Sequence, residues 1–231
     1  RKEFSDSFNT FTCCVGSGLE NHSKYAEQIY SQGSLGDLYV NLFIPSVLHW
    51  KERNIKLTQT TDFPSSGQTE LSWETGKPVK LTVRVRIPFW THARYQFKLV
   101  ESDGRETLLH PVLMPDGYAL IKRTWHNGDR LQCDFPMDLY TEPMPDNPGR
   151  IAIKYGPLVL AGELGSKRPD PVYGTPVLLT NDRNPANWIE KMPGAPLRFK
   201  TKDAGKPFDV ELAPFYEVYN QYYSVYWDYF S

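Results

Sequence analysis

The run Lys80-Leu81-Thr82-Val83-Arg84-Val85-Arg86-Ile87 alternates strictly between polar and apolar residues. A period of two sends Leu81, Val83, Val85 and Ile87 to one face of a strand and Arg84 and Arg86 to the other, toward water. The strand must therefore be covered on one side only, and the rest of the chain has to supply the cover.

Other β-type runs surround it: Leu38 to Ile44, Ile55 to Thr61, Glu70 to Trp73, Tyr95 to Val100, Tyr118 to Arg123, Arg130 to Phe135 and Ile151 to Leu160. Between them stand Asp103-Gly104, Asp116-Gly117 and Asn127-Gly128, pairs that turn a chain tightly because glycine accepts positive φ. Their spacing predicts an antiparallel meander, and the economical fold is a β-sandwich. From Gly165 to Lys206 proline, glycine, asparagine and aspartate dominate, which predicts long loops with short strands at Val177 to Thr180 and Leu197 to Lys200. The stretch Phe208 to Phe230 returns to β-type composition, with two strands expected to turn near Asn220.

One segment reads as a helix, residues 15 to 33. Ser17 stands three residues before Glu20 in the capping-box spacing, which places the helix start just after Cys13-Cys14. Leu19, His22, Tyr25 or Ala26, and Ile29 share a stripe, Glu20 and Lys24 form an i,i+4 pair, and Gly33 suits the C-cap. The fold class is thus mainly β, antiparallel sandwich or sandwiches preceded by one N-terminal helix.

Charge and composition remove several functions. The 26 basic and 27 acidic residues leave a net charge of -1 with no basic run, so nucleic acid and anionic membranes are not expected partners. No stretch approaches the roughly 20 apolar residues of a membrane span. The start Arg1-Lys2-Glu3-Phe4 is neither an initiating methionine nor a signal peptide and predicts a fragment or processed chain. Three cysteines cannot all pair within one chain, and the compartment, periplasmic or cytoplasmic, stays open.

The cysteine pair carries the chemistry. Free N–H groups and the dipole at a helix N-terminus lower a thiol pKa, so a thiolate at Cys13 or Cys14 is chemically reasonable. Burial as small hydrophobes is the alternative on spacing alone.

The string FTCCVGSGLENHSKYAEQIY resembles the segment that closes the catalytic domain of glycoside hydrolase family 127 and its sister family 146, once grouped as a domain of unknown function. The resemblance continues through KLTVRVRIPFW, IAIKYGPLVLAGELG and LAPFYEVYNQYYSVYW, and so spans nearly the whole chain. It implies a β-L-arabinofuranosidase in which an (α/α)6 barrel precedes β-sandwich domains. Residues 1–33 would then be the barrel's last helix, 34–145 a first sandwich, and 146–231 a second sandwich or return strands with long loops. Zinc would be held in the complete enzyme by a glutamate and a cysteine of the barrel together with Cys13 and Cys14. Cys13 would be nucleophile and ligand, Cys14 a ligand, and the reaction would retain configuration on an arabinose-containing plant glycan. The Glu20-Asn21-His22 sequence fits family 146 better, which leaves the sugar linkage open. No acid/base glutamate or further ligand pair precedes Cys13 by motif, so the isolated chain is expected to be inactive and to bind zinc weakly or not at all. Its implied partners are the glycan and the N-terminal barrel.

Two further residues are candidates for sugar contact: His22, with a core position as its alternative, and Trp188, in the loop Asn184-Pro185-Ala186-Asn187. Cys133 alternates with Leu131 and Phe135 and reads as core. Tryptophans and tyrosines, 6 and 14 in number, suit sugar surfaces or sandwich cores alike. The rival to the enzyme reading is a non-catalytic carbohydrate-binding or structural sandwich.

Overall fold

In a computed structural model of the chain, residues 13–92, 94–170 and 172–230 are described, with side chains from Gly16 onward. The chain forms two compact units, one ending at Asp134 and the other built chiefly from Phe135 onward, with Pro64–Gly67 and Phe89–Tyr95 belonging to the second. The boundary expected at 145/146 falls between two strands of one hairpin, described below.

The first unit opens with helix α1 (Cys13–Ile29), followed by β1 (Tyr30–Gln32), β2 (Leu38–Val40), β3 (Ser46–Trp50), β4 (Ile55–Thr61), β5 (Gln68–Thr75) and β6 (Val79–Arg86). Then come β7 (Gln96–Val100), β8 (Glu106–Leu109), β9 (Val112–Leu113), β10 (Tyr118–Trp125) and β11 (Arg130–Asp134). They make two sheets, ordered β1-β2-β6-β10-β9 and β3-β4-β5-β11-β7-β8. Leu81, Val83 and Val85 are buried as the alternation requires, and Ile87 lies past the strand end, half-buried. Trp73 of β5 stacks on Trp125 of β10, so the inner faces of the two sheets share one core.

The meander expectation needs correction. Gly104 and Gly117 do turn hairpins with positive φ, but Asn127-Gly128 carries the chain from one sheet to the other, and β2 runs parallel to β6. A sandwich covers both inner faces only if the chain changes sheets, which a simple meander never does.

The helix also differs from expectation. It begins at Cys13, so Ser17 lies inside it and cannot cap, since a capping residue needs non-helical backbone. It ends at Ile29 because Tyr30–Gln32 is captured by antiparallel pairing with Leu38–Val40, while the backbone N–H groups of Asn41 and Leu42 bond the Ile29 carbonyl. Gly33 therefore belongs to the β1–β2 turn, bonded to Asp37, and not to a C-cap. Lys24 lies 3.7 Å from Glu27 instead of pairing with Glu20. Among its described side chains only Ile29 is buried, and Leu19 and Tyr25 stand exposed.

The second unit contains β12 (Leu139–Met144), β13 (Asn147–Tyr155), β14 (Leu158–Glu163), β15 (Val177–Leu179), β16 (Ile189–Lys191) and β17 (Phe199–Thr201). It continues with β18 (Gly205–Lys206), β19 (Glu211–Pro214), β20 (Tyr223–Ser224) and β21 (Tyr226–Phe230). Its sheet runs β16-β17-β19-β14-β13-β21-β15-β18, with β12 on β13 and β20 on β14. The single run expected at Ile151 to Leu160 is a hairpin, broken where Gly156 takes positive φ before Pro157. Asn220 does turn with positive φ, but the strands before and after it, β19 and β20, both pair with β14 and not with each other.

The region expected to be loop decoration is core. Leu178, Trp188, Ile189, Phe199 and Ala204 join Ile151, Ile153, Leu160, Leu212 and Trp227 in one buried cluster. Gly162 is part of that packing, because a Cβ there would stand 2.3 Å from the Trp227 ring. Short strands rich in turn residues still bury one face when a longer sheet offers it.

Candidate functional site

Cys13 and Cys14 occupy the first turn of α1, and their side chains lie outside the described residues. His22 is exposed, its ring 5.7 Å from that of Tyr25, and is therefore not a core histidine. Eight residues of helix separate it from Cys14, about 12 Å of rise at 1.5 Å per residue. Ligands of one zinc ion sit about 2 Å from it, so His22 does not share a metal with the cysteine pair.

Trp188 is not at the surface. It is 4 % exposed, and its indole Nε1 donates to the Asp182 carbonyl at 3.0 Å. The proline- and asparagine-rich segment that suggested a loose loop is a built turn: the Asn184 side chain accepts from Ala186 N and caps Pro185–Asn187. Asp182 accepts from the Asn184 backbone and from Asn187 Nδ2, which hold its carboxyl below the usual range. That turn swings the indole inward, so stacking of a sugar on Trp188 is ruled out by burial.

Cys133 is core, as its alternation required, and burial pushes its thiol up. Among the described residues no group of three or more His, Cys, Asp or Glu side chains could hold a metal ion. Two thiols are donors of the right type for zinc, but zinc takes four ligands. The described residues do not complete that set.

A cleft missed by the sequence reading lies at the C-terminal end of α1, with a volume of about 530 Å³. Asn41 is its fastened centre: Nδ2 donates to Ser31 Oγ at 2.7 Å and to the Gln28 carbonyl at 3.2 Å, while Oδ1 accepts from Tyr118 Oη at 2.9 Å. Tyr39 meets Tyr118 edge to face at 5.2 Å. Burial raises the Tyr118 hydroxyl pKa, partly offset by the Arg86 charge, so it remains a neutral donor and acceptor. The only signal in the sequence was the polar half of an alternating strand.

The chain has a mainly β fold that it shares with parts of longer solved chains. The chain shares its fold with Ara127N-Se, described as a GH127 β-L-arabinofuranosidase from Geobacillus stearothermophilus T6, at TM-score 0.70 and 20 % identity over 94 % of this chain and 37 % of that one. It also superposes on the GH127 β-arabinofuranosidase BT3674, at TM-score 0.62 and 20 % identity over 84 % of this chain and 35 % of that one. A third structure, described only as a glycoside hydrolase, gives TM-score 0.67 at 16 % identity over 95 % and 40 %. The chain thus spans well under half the length of these solved chains.

Residues 37–137 match the family model described as β-L-arabinofuranosidase, GH127 middle domain. The first sandwich is therefore related to that family's middle domain, and the chain resembles a portion of its members. Residues 165–229 match a model described as a domain of unknown function. No curated protein sequence matches the chain. Among the described residues no helix is long and apolar enough to cross a membrane.

Proposed function

We propose that the chain is the C-terminal β-sandwich portion of a retaining, zinc-dependent glycoside hydrolase that acts on β-L-arabinofuranosides of plant glycans, with Cys13 as nucleophile. The observation that carries the reading is the placement of Cys13 and Cys14 in the first turn of a helix that runs directly into a sandwich matched by the GH127 middle-domain model.

At that position unpaired backbone N–H groups favour the thiolate. Cys13 sulfur attacks the anomeric carbon and the C–O bond breaks. The leaving oxygen takes a proton from a carboxylic acid supplied by a barrel beyond this chain. Water, giving its proton to the carboxylate left by that step, then displaces the sulfur as thiolate from the same face the leaving group had occupied, which gives retention through a glycosyl-cysteine. Zinc, when bound between Cys13, Cys14 and barrel ligands, would keep the thiols deprotonated at neutral pH. The sandwiches brace the barrel, and the chain alone is inactive.

The test compares this chain with the longer protein that carries the barrel, on an aryl β-L-arabinofuranoside. The longer protein releases arabinose with retention and Cys13→Ser abolishes release, while the chain alone releases none above buffer. Arabinose release by the chain alone overturns the inactivity. Full activity of Cys13→Ser in the longer protein overturns the nucleophile assignment.

A further inference from the structure

Arg84 and Arg86 project from the same outer face of β6, and their surroundings differ. Arg84 Nε donates to Asp37 Oδ2 at 2.8 Å, and its guanidinium lies 5.3 Å from the centre of the Tyr39 ring. Arg86 lies opposite Tyr118 in the sheet; its side chain has no ion pair or hydrogen bond among the described residues, and its Nε is shielded from water without an acceptor. A charged donor left in that state keeps the cost of its lost hydration uncompensated. Among the described residues no acidic side chain lines the cleft into which Arg86 faces.

We propose that this cleft binds a sugar residue bearing a carboxylate, a uronic acid of a glycan, with Arg86 as the anchor of the acid group. The guanidinium fork accommodates a carboxylate through two parallel hydrogen bonds, which a lone hydroxyl cannot reproduce. The remaining groups suit sugar hydroxyls: the amides of Gln28 and Gln32, the Ser31 hydroxyl and the Tyr118 hydroxyl. Asn41, bonded on three sides, holds this polar rim in place before a ligand arrives, so little ordering is needed on binding. The volume lies in the range of small-molecule sites, about 300–1,000 Å³. The inference does not depend on the catalytic reading, because it concerns a binding event on this chain alone.

The experiment is a calorimetric titration of the whole chain with galacturonate, with galactose as the uncharged control and acetate as the bare carboxylate. Galacturonate should bind at least about tenfold more tightly than either control, and Arg86→Gln should weaken it by about tenfold or more. Arg86→Lys, which keeps the charge but not the fork, should fall between wild type and Arg86→Gln. Circular dichroism checks that the variants fold. Should Arg86→Gln fail to fold, Gln32→Ala on the exposed rim replaces it, with a several-fold loss expected. Galactose or acetate binding as well as galacturonate overturns the proposal, as does undiminished binding by folded Arg86→Gln or, where it is the deciding variant, by Gln32→Ala.

Discussion

Trp73 lies flat on Trp125, ring centroids 3.8 Å apart and planes 11° from parallel, with both indoles fully buried between the two sheets of the first unit. The two rings are not equivalent. Trp125 Nε1 donates to the Leu81 carbonyl at 3.2 Å, whereas Trp73 Nε1 has no hydrogen-bond partner among the described residues. Trp125→Phe forfeits a buried hydrogen bond, while Trp73→Phe removes a donor that was already unsatisfied. Trp125→Phe should therefore cost about 1 kcal/mol more than Trp73→Phe in urea unfolding, and either tryptophan replaced by alanine about 3–5 kcal/mol. Equal losses from the two phenylalanine variants would contradict this account.

The Asp37–Arg84 pair links the β1–β2 turn to the outer face of β6, at side-chain exposures of 13 % and 15 %. At that burial, removing one partner strands the other's charge. Asp37→Ala should destabilise the chain by about 2 kcal/mol, and the double variant with Arg84→Gln should recover part of that loss. Thermal unfolding of the four-member cycle measures the coupling, and strictly additive losses would show that the pair contributes nothing.

Asp209 gives the second unit a pH-dependent element. Burial alone would raise its pKa, but Thr201 Oγ1, Gly205 N and Asp203 N donate to it at 2.7, 2.9 and 2.8 Å, and the net result is a carboxyl held below its usual range. With the folded value depressed, its stabilisation is present above the unfolded pKa of about 3.9 and is lost as pH falls through the folded value. Asp209→Asn should cost about 2 kcal/mol at pH 7, and the gap to wild type should narrow at a pH below the unfolded value of about 3.9. Urea melts at the two pH values decide it: a gap that persists at low pH counts against the carboxylate.

Cys133 should be chemically silent in the folded protein. It is 2 % exposed and burial pushes its thiol well above the ordinary range, so no thiolate forms near neutrality. Iodoacetamide at pH 8 should leave the Cys133 peptide unmodified until denaturant is added, as read by mass spectrometry. Rapid native-state labelling at Cys133 would refute its placement in the core.

The sequence by itself determined what has a short period or a local steric cause. The alternation at Lys80 to Arg86 set a one-sided strand, and Asp103-Gly104 and Asp116-Gly117 set hairpin turns. Those features need only neighbours in the chain. The tertiary structure decided where distant segments meet, and there local reading failed. Proline and asparagine around residue 185 suggested a surface loop, yet a capped turn and the Asp182 carbonyl fold Trp188 into the core. An unbroken apolar run hid the hairpin at Gly156, because apolar composition says how much is buried but not where the chain reverses. Arg84 and Arg86 are indistinguishable in the sequence, both on the polar side of one strand. Only the fold brings Asp37, 47 residues away, to the first and leaves the second facing a cleft with no acid among its described lining residues. A charge's partner is set by long-range packing, and so no periodicity encodes it.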